Sequence, residues 1–173
     1  MTRVVAFLRG INVGSRIVKK EQLQRVFEAL KFRDVITYKQ SGNVIFETEA
    51  KDMETLRTRI ESKLRETLGY DVSVFIRTID YLKRLAEQNS RAVKEGDSFL
   101  VTMLPPGDFP LPLPKTIPKS TARIVSASGS EVFSLTHGGG EGALPNPFLE
   151  SKLKVKATTR NMNIIREIVE KYS

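Results

Sequence analysis

Two apolar runs joined by a short polar turn establish the fold of the N-terminal half: Val35-Ile36-Thr37-Tyr38-Lys39-Gln40-Ser41-Gly42-Asn43-Val44-Ile45-Phe46. Both runs are rich in β-branched and aromatic residues, which favour strands. Ser41-Gly42-Asn43 has the composition of a tight turn, because glycine and asparagine tolerate backbone angles that other residues avoid. The stretch therefore predicts a β-hairpin with strands near residues 35–38 and 44–46.

An amphipathic helix is predicted on each side of this hairpin. On the N-terminal side, between residues 20 and 31, four apolar residues follow the helical spacing i, i+3, i+4 and i+7: Leu23, Val26, Phe27 and Leu30. On the C-terminal side, Asp52 suits the N-cap of a helix that runs to about Leu68, and Gly69 suits its C-cap. The hairpin is thus flanked by two helices that each have one face to bury.

Beyond the helices, Val4–Leu8 and Val72–Ile76 are predicted strands, which completes the order βαββαβ. This is the ferredoxin-like arrangement, in the α+β class. Right-handed crossovers place the first strand antiparallel beside the third. The loop Arg9–Gly14 and the turn Gln40–Asn43 are then expected to lie side by side at one edge of the sheet, with the N-terminus of the first helix.

Residues 1–90 form this ferredoxin-like half, and residues 91–173 are predicted to form a second α+β half that packs on it and shares its core. Six of the eight prolines fall between Pro105 and Pro118, so residues 105–118 are predicted to be a stiff Pro-rich strap. The second half is expected to hold three strands and three helices, the first helix capped by Thr78. Thr158 or Thr159 is expected to cap the last helix.

Three polar motifs carry the functional hypothesis: Arg9-Gly10-Ile11-Asn12-Val13-Gly14, Gln40-Ser41-Gly42-Asn43 and Ala157-Thr158-Thr159-Arg160-Asn161. They contain no carboxylate and combine glycine with amide, hydroxyl and guanidinium donors, which suits an anion. The candidate ligand-binding residues are Arg9, Asn12, Ser41, Asn43, Thr158, Thr159, Arg160 and Asn161. Each motif alone is also explained as a turn, a strand end or a helix cap. The hypothesis is that all three meet at one cleft.

The composition of the chain limits the partners and the kinds of catalytic or metal site that it can have. The 173 residues carry a net charge of +8, which favours a phosphate-bearing small molecule or nucleic acid as partner, although a solvated basic surface explains the charge equally well. The absence of cysteine excludes disulfides and thiolate catalysis. His137 is the only histidine, so a multi-histidine metal centre is excluded and only a Ser–His pair that uses His137 stays open. We expect no metal and no cofactor.

A glycine-rich segment near the middle of the second half resembles a nucleotide-binding loop only superficially. Gly138–Ala143 fits G-x-G-x-x-A, but Pro145 and Pro147 follow too closely for a helix to begin at the glycines. The segment is predicted to be a mobile loop or, if it has a role, a lid over the site.

No apolar run approaches the roughly 18 residues of a membrane span, and the first apolar run is too short for a signal peptide. We therefore expect a cytoplasmic protein with no membrane partner. The oligomeric state is not indicated.

The polar motifs, extended to Leu8–Gly14, Tyr38–Phe46 and Ala157–Asn163, resemble the signatures of a bacterial and archaeal domain-of-unknown-function family, number 1697. The resemblance extends over essentially the whole chain. This chain has Met162 where the family usually has Trp, and Ser15 where the family usually has a second Gly. The resemblance implies a compact α+β fold built on ferredoxin-like elements, and it implies no established activity, substrate or catalytic residue.

Three functions are compatible with these patterns. The favoured one is a binding module for a phosphate-bearing ligand, either a nucleotide or nucleic acid. The second is an enzyme for a small anionic substrate, in which Arg9 or Arg160 neutralises charge, Ser41 or a threonine is the nucleophile or a donor, and Glu141 is the general base. The third is an interaction protein whose polar motifs are structural. RNA binding on the sheet face is disfavoured because Val44-Ile45-Phe46 carries no paired aromatic stripe.

Overall fold

The computed structural model of the chain describes residues 1–39, 42–89, 92–107, 109, 112–114, 116–138 and 144–173. Within them the chain forms two antiparallel four-stranded sheets and five α-helices, which confirms the predicted α+β class. The chain divides into two compact units: unit 1 is Met1–Leu82 with Tyr172–Ser173, and unit 2 is Lys83–Lys171. Among the described helices, none has the length and apolar character needed to cross a bilayer.

Unit 1 follows the predicted βαββαβ order. Its elements are β1 (Thr2–Leu8), α1 (Lys20–Ala29), β2 (Arg33–Tyr38), β3 (Asn43–Thr48), α2 (Met53–Leu68) and β4 (Val74–Thr78), followed by α3 (Ile79–Ala86), whose last residues belong to unit 2. The strand order is β2-β3-β1-β4, and all neighbours are antiparallel. β1 pairs with β3, so that Val5 lies opposite Ile45. The predicted placement of the first strand beside the third is confirmed.

Local signals explain why these elements begin and end where they do. The Asp52 carboxylate accepts a hydrogen bond of 3.0 Å from the backbone N–H of Glu54, and Gly69 ends α2 with a φ of 80°, as predicted. Three aromatic rings on the helix-facing side of the sheet form the centre of the core. Phe46 lies 4.4 Å from Phe32 and 5.3 Å from Phe27 between ring centroids.

Unit 2 repeats the strand order of unit 1. Its elements after α3 are β5 (Asp97–Met103), β6 (Ala122–Ser128), β7 (Glu131–His137), α4 (Asn146–Leu153), β8 (Thr158–Asn161) and α5 (Met162–Tyr172). The order β6-β7-β5-β8 is that of unit 1 with β5 in the place of β1, and its neighbours are again antiparallel. Where unit 1 has α1, unit 2 has the segment 104–121, whose described residues include no helix.

The prediction of three strands in the second half was wrong, because Thr158–Asn161 forms a fourth. β8 pairs with β5, and Thr159 lies opposite Thr102. Thr158 and Thr159 therefore do not cap the last helix. The strand runs directly into α5, and the side chain of Asn161 provides the cap by accepting a 2.9 Å hydrogen bond from the backbone N–H of Asn163.

Candidate functional site

A pocket of about 490 Å³ lies at one edge of the sheet in unit 1. Three segments form its walls: the loop after β1, the start of α1, and the end of β2 with the turn that follows it. The topology brings these segments together because β1 and β2 both end at this edge, whereas α1 begins there. The lining residues are Asn12, Ile17, Val18, Lys19, Lys20, Glu21, Leu23, Thr37, Lys39 and Gly42.

The pocket is cationic. Among its described lining residues, Lys19, Lys20 and Lys39 are exposed lysines, and Glu21 carries the one carboxylate. Within the described residues, neither Lys19 nor Lys20 forms an ion pair. The ammonium of Lys39 lies 5.7 Å from the centroid of the Tyr38 ring. Three lysines and one glutamate leave the pocket with an excess of positive charge.

The N-terminus of α1 adds partial positive charge to the same wall. Lys19 occupies the N-cap position in an extended conformation, and no side chain caps the helix there. The first backbone N–H groups of a helix have no partner within it, and the helix dipole makes this end attractive to anions. Lysine side chains and backbone donors thus converge on one cavity.

Contacts of Asn12 and Arg16 help to hold the loop after β1 in shape. Asn12 has a φ of 57°, and its Oδ1 accepts a 2.7 Å hydrogen bond from the backbone N–H of Val18. The Arg16 guanidinium lies over the Tyr70 ring, 4.5 Å from its centroid. Between these anchors Ile17 is 77% exposed, which gives the pocket one apolar wall beside its lysines.

Gly42 lines the pocket, and its close neighbours explain why the turn needs glycine at this position. Its φ is 74°, and a Cβ there would lie 2.6 Å from Cγ2 of Ile11 and 3.1 Å from Cβ of Leu8. Its carbonyl accepts a 2.8 Å hydrogen bond from the backbone N–H of Leu8. The predicted proximity of the first two motifs is thus confirmed for their described residues, while Gln40 and Ser41 lie outside them.

The first two motifs contribute differently to the pocket. Asn12 lines it. Arg9 is half-buried at the end of β1, and its backbone N–H donates to the carbonyl of Ser73 at 2.9 Å. Asn43 is buried, and its side-chain amide donates to the carbonyl of Tyr38 at 3.1 Å, so it holds the hairpin together.

The third motif lies in unit 2, where its side chains interact closely with one another. Nη1 of Arg160 donates to Oγ1 of Thr158 at 2.7 Å and to the carbonyl of Thr159 at 2.9 Å. The hydroxyl of Thr159 is hydrogen-bonded to that of Thr102 at 2.8 Å. Burial lowers the pKa of Arg160 to about 10, because desolvation disfavours the charged form, and the guanidinium is still protonated at neutral pH. A single cleft shared by all three motifs stays a prediction.

The sequence analysis missed the lysines that dominate the pocket. It favoured stretches rich in Gly, Asn, Ser, Thr and Arg, and a lysine pair at a helix start is more often a solvated face. The available signal was position, since Lys19-Lys20 directly precedes the apolar stripe of α1 and Lys39 lies within the second motif. Of the predicted lid at 138–142, residues 139–142, which include Glu141, fall outside the described residues. Among the described side chains, no three His, Cys, Asp or Glu residues cluster closely enough to hold a metal ion.

The fold resembles a solved structure. The conserved bacterial protein SP0830 from Streptococcus pneumoniae is similar with a TM-score of 0.66 and 16% sequence identity, over 98% of this chain and 97% of that one. At this identity the similarity shows the fold alone. Among curated proteins, none matches the chain. The family of proteins of unknown function DUF1697 matches residues 1–121, and the chain therefore belongs to that family.

Proposed function

We propose that the protein is a cytoplasmic binding protein for a phosphate-bearing ligand, a nucleotide or nucleic acid, and that the ligand binds in the lysine-lined pocket of unit 1. The observation that carries this proposal is the convergence of Lys19, Lys20 and Lys39 on a cavity of about 490 Å³ at the uncapped start of α1. A pocket of this size is typical of small-ligand sites, which fall at roughly 300–1,000 Å³.

Each group has a distinct part in the proposed complex. The ammonium groups of Lys19 and Lys20 neutralise the charge of a phosphate group, and the first N–H groups of α1 donate hydrogen bonds to its oxygens. Asn12 holds the loop in place through Val18. Since the lysines are exposed, binding depends on ionic strength.

The direct test is calorimetric titration of nucleotides and short oligonucleotides, at low and high salt, against matched lysine variants. In the test variant, Lys19→Gln is combined with Lys20→Gln. In the control, Lys51→Gln is combined with Lys156→Gln, which removes the same charge from exposed positions outside the pocket. Loss of one charge-assisted contact costs about 1.5–3 kcal/mol, or roughly 10- to 150-fold in affinity. Equal weakening in both variants would assign the affinity to the diffuse basic surface.

The proposed roles of Arg9 and Arg160 are tested in the same titration. Arg9→Ala and Arg160→Ala are expected to weaken binding if all three motifs share the ligand. Unchanged affinity in Arg160→Ala, with affinity lost in the lysine variant, would restrict the site to unit 1. If no ligand binds, the two remaining hypotheses are an enzyme and an interaction protein. A turnover screen with small phosphorylated and carboxylate metabolites distinguishes between them.

A further inference from the structure

The only histidine of the chain forms a hydrogen-bonded pair with a carboxylate, far from the pocket in sequence. His137 ends β7 and Asp97 begins β5, and the two residues lie directly opposite each other in the register of the sheet. Nδ1 of His137 lies 2.9 Å from Oδ1 of Asp97. Both residues belong to unit 2.

Backbone hydrogen bonds hold Asp97 in place independently of its contact with His137. Oδ2 of Asp97 accepts a 2.9 Å hydrogen bond from the backbone N–H of Lys94, and the N–H of Asp97 donates to the carbonyl of Lys94 at 3.0 Å. The Asp97 side chain is only 11% exposed. The bond from the Lys94 N–H and, after it, that from His137 lower the pKa of Asp97. Asp97 is therefore a stable anion in a defined orientation.

The imidazole is held on a second side by the backbone. Gly96 has a φ of +83°, and a Cβ at this position would lie 3.1 Å from Cε1 of His137. The ring thus packs against the bare Cα of a glycine, while the His137 side chain remains 72% exposed. Within the described residues, Nε2 has no hydrogen-bond partner.

This geometry determines what the ring can do. An anionic acceptor on Nδ1 favours the tautomer with the proton on Nδ1, which leaves the lone pair on Nε2, the other nitrogen of a ring whose side chain is 72% exposed. It also stabilises positive charge that develops on the ring when Nε2 forms a bond, as the aspartate does in a Ser–His–Asp triad. A lone pair on an exposed ring that is held in one orientation suits the acceptance of a group from a donor that arrives from solution.

We propose that His137 is a phosphoryl-acceptor site, at which Nε2 takes a phosphoryl group from a small donor such as an acyl phosphate or a phosphoramidate. The Nε2 lone pair forms the new N–P bond as the bond from phosphorus to the leaving group breaks. An acyl phosphate releases a carboxylate, and a phosphoramidate releases ammonia after its nitrogen takes up a proton from solvent. The proton on Nδ1 stays in place, and the charge of the ring is balanced by Asp97. No oxidant or metal ion takes part.

Because the chain has a single histidine, phosphorylation of a histidine can be assigned to His137 without ambiguity. The full-length protein is incubated with potassium phosphoramidate at mildly alkaline pH, and 31P NMR and intact mass measure the rate, stoichiometry and position of phosphorylation. We expect one phosphoryl group per chain, on Nε2, formed faster than on N-acetylhistidine, and none in His137→Gln. Asp97→Asn removes the charge that stabilises the ring, so the rate should fall roughly 2- to 5-fold, the value of one charge pair whose partner is largely exposed to solvent.

Glu95→Gln is the matched control, because Glu95 is an exposed carboxylate of the same turn and its loss removes one negative charge without touching the ring. Its rate should stay close to that of the wild type. Three results would overturn the proposal: equal rates in Asp97→Asn and wild type, a product on Nδ1, or a wild-type rate no greater than that of N-acetylhistidine. The last two use the wild-type protein alone, so they hold even if Asp97→Asn does not fold.

Discussion

Units 1 and 2 share one strand order but differ in what lies beside the sheet. The correspondence extends to single residues, since Arg77 lies opposite Val5 in unit 1 as Arg160 lies opposite Val101 in unit 2. Nη1 of each arginine donates to the carbonyl of the preceding residue at 2.9 Å. The elements between the first two strands differ, because unit 1 has α1 and unit 2 has the proline-rich segment 104–121.

The difference between the units continues on the sheet face that carries each helix-packed core. Ala6, Phe46 and Ile76 of unit 1 occupy the same register positions as Thr102, Ser134 and Thr159 of unit 2. Unit 1 fills this face with aromatic and aliphatic side chains that pack against α1 and α2. Unit 2 has buried hydroxyls at these positions. A shared strand order thus tolerates two kinds of interior.

The strand order that the two units share does not by itself form the pocket. In unit 1 the pocket depends on the helix that begins at Lys20 and on the loop before it, whereas the described residues of segment 104–121, at the equivalent place in unit 2, include no helix. The sheet determines where residues lie, and the loops and helices connected to it determine the chemistry of a site. Variants that change the character of the two interiors test the contrast between them directly.

The largest expected effect is at the aromatic core of unit 1. Phe46→Ala removes a fully buried ring that contacts Phe27 and Phe32, and such truncations cost about 3–5 kcal/mol of unfolding free energy. Urea unfolding followed by far-UV circular dichroism measures the change, since the chain has no tryptophan.

The matched variant in unit 2 is Ser134→Ala, at the equivalent register position. The Ser134 hydroxyl is buried without a hydrogen-bond partner among the described residues, so its removal relieves an unpaired polar group. The unfolding free energy should be unchanged or raised. Similar losses in both variants would contradict the contrast between the two interiors.

The sequence predicts unit 1 better than unit 2, and the reasons are physical. The hairpin, α1 and α2 carry strong signals, namely β-branched runs, a 3.6-residue apolar period, and the caps Asp52 and Gly69. β8 carries only a weak signal, the β-branched pair Thr158-Thr159, because it is four residues long, polar, and continues directly into α5. Pairing with β5 forms it, and such long-range pairing is invisible to local patterns.

The candidate sites also differ in how far the sequence predicts them. The meeting of the first two motifs follows from strand order and was predictable. The Asp97–His137 pair was not, because its members are 40 residues apart and meet only through a register that no local pattern sets. The lysines of the pocket were visible individually, but their convergence depends on the conformation of the loop between β1 and α1.

A medium effect is expected at the paired hydroxyls of unit 2. Thr159→Val leaves the buried Oγ1 of Thr102 without its 2.8 Å partner, and a buried unsatisfied hydroxyl costs about 1–3 kcal/mol. Combining it with Thr102→Val replaces both partners by apolar groups of the same shape and makes two of the three equivalent register positions apolar, as in unit 1. The double variant should recover most of the lost stability in urea unfolding. A double variant less stable than the single one would show that unit 2 requires its polar interior.

The smallest effect concerns the helix that both units place after their third strand. Unit 1 caps α2 with Asp52, whereas α4 of unit 2 has Pro145 at the N-cap and no side-chain cap. The hydroxyl of Thr55 and, after it, the backbone N–H of Glu54 lower the pKa of Asp52 from its ordinary value of 3.8. Because the folded-state pKa lies below the unfolded one, the stabilisation is complete above about pH 3.8 and is lost as the pH falls through the folded value.

Asp52→Ala should therefore lower the melting temperature slightly at neutral pH, and the difference in melting temperature from the wild type should disappear in acid. Pro145→Ala removes no side-chain cap, so its gap from wild type should not vary with pH over the same range, and a gap for Asp52→Ala that persists at low pH would assign the effect to helix propensity instead of the carboxylate.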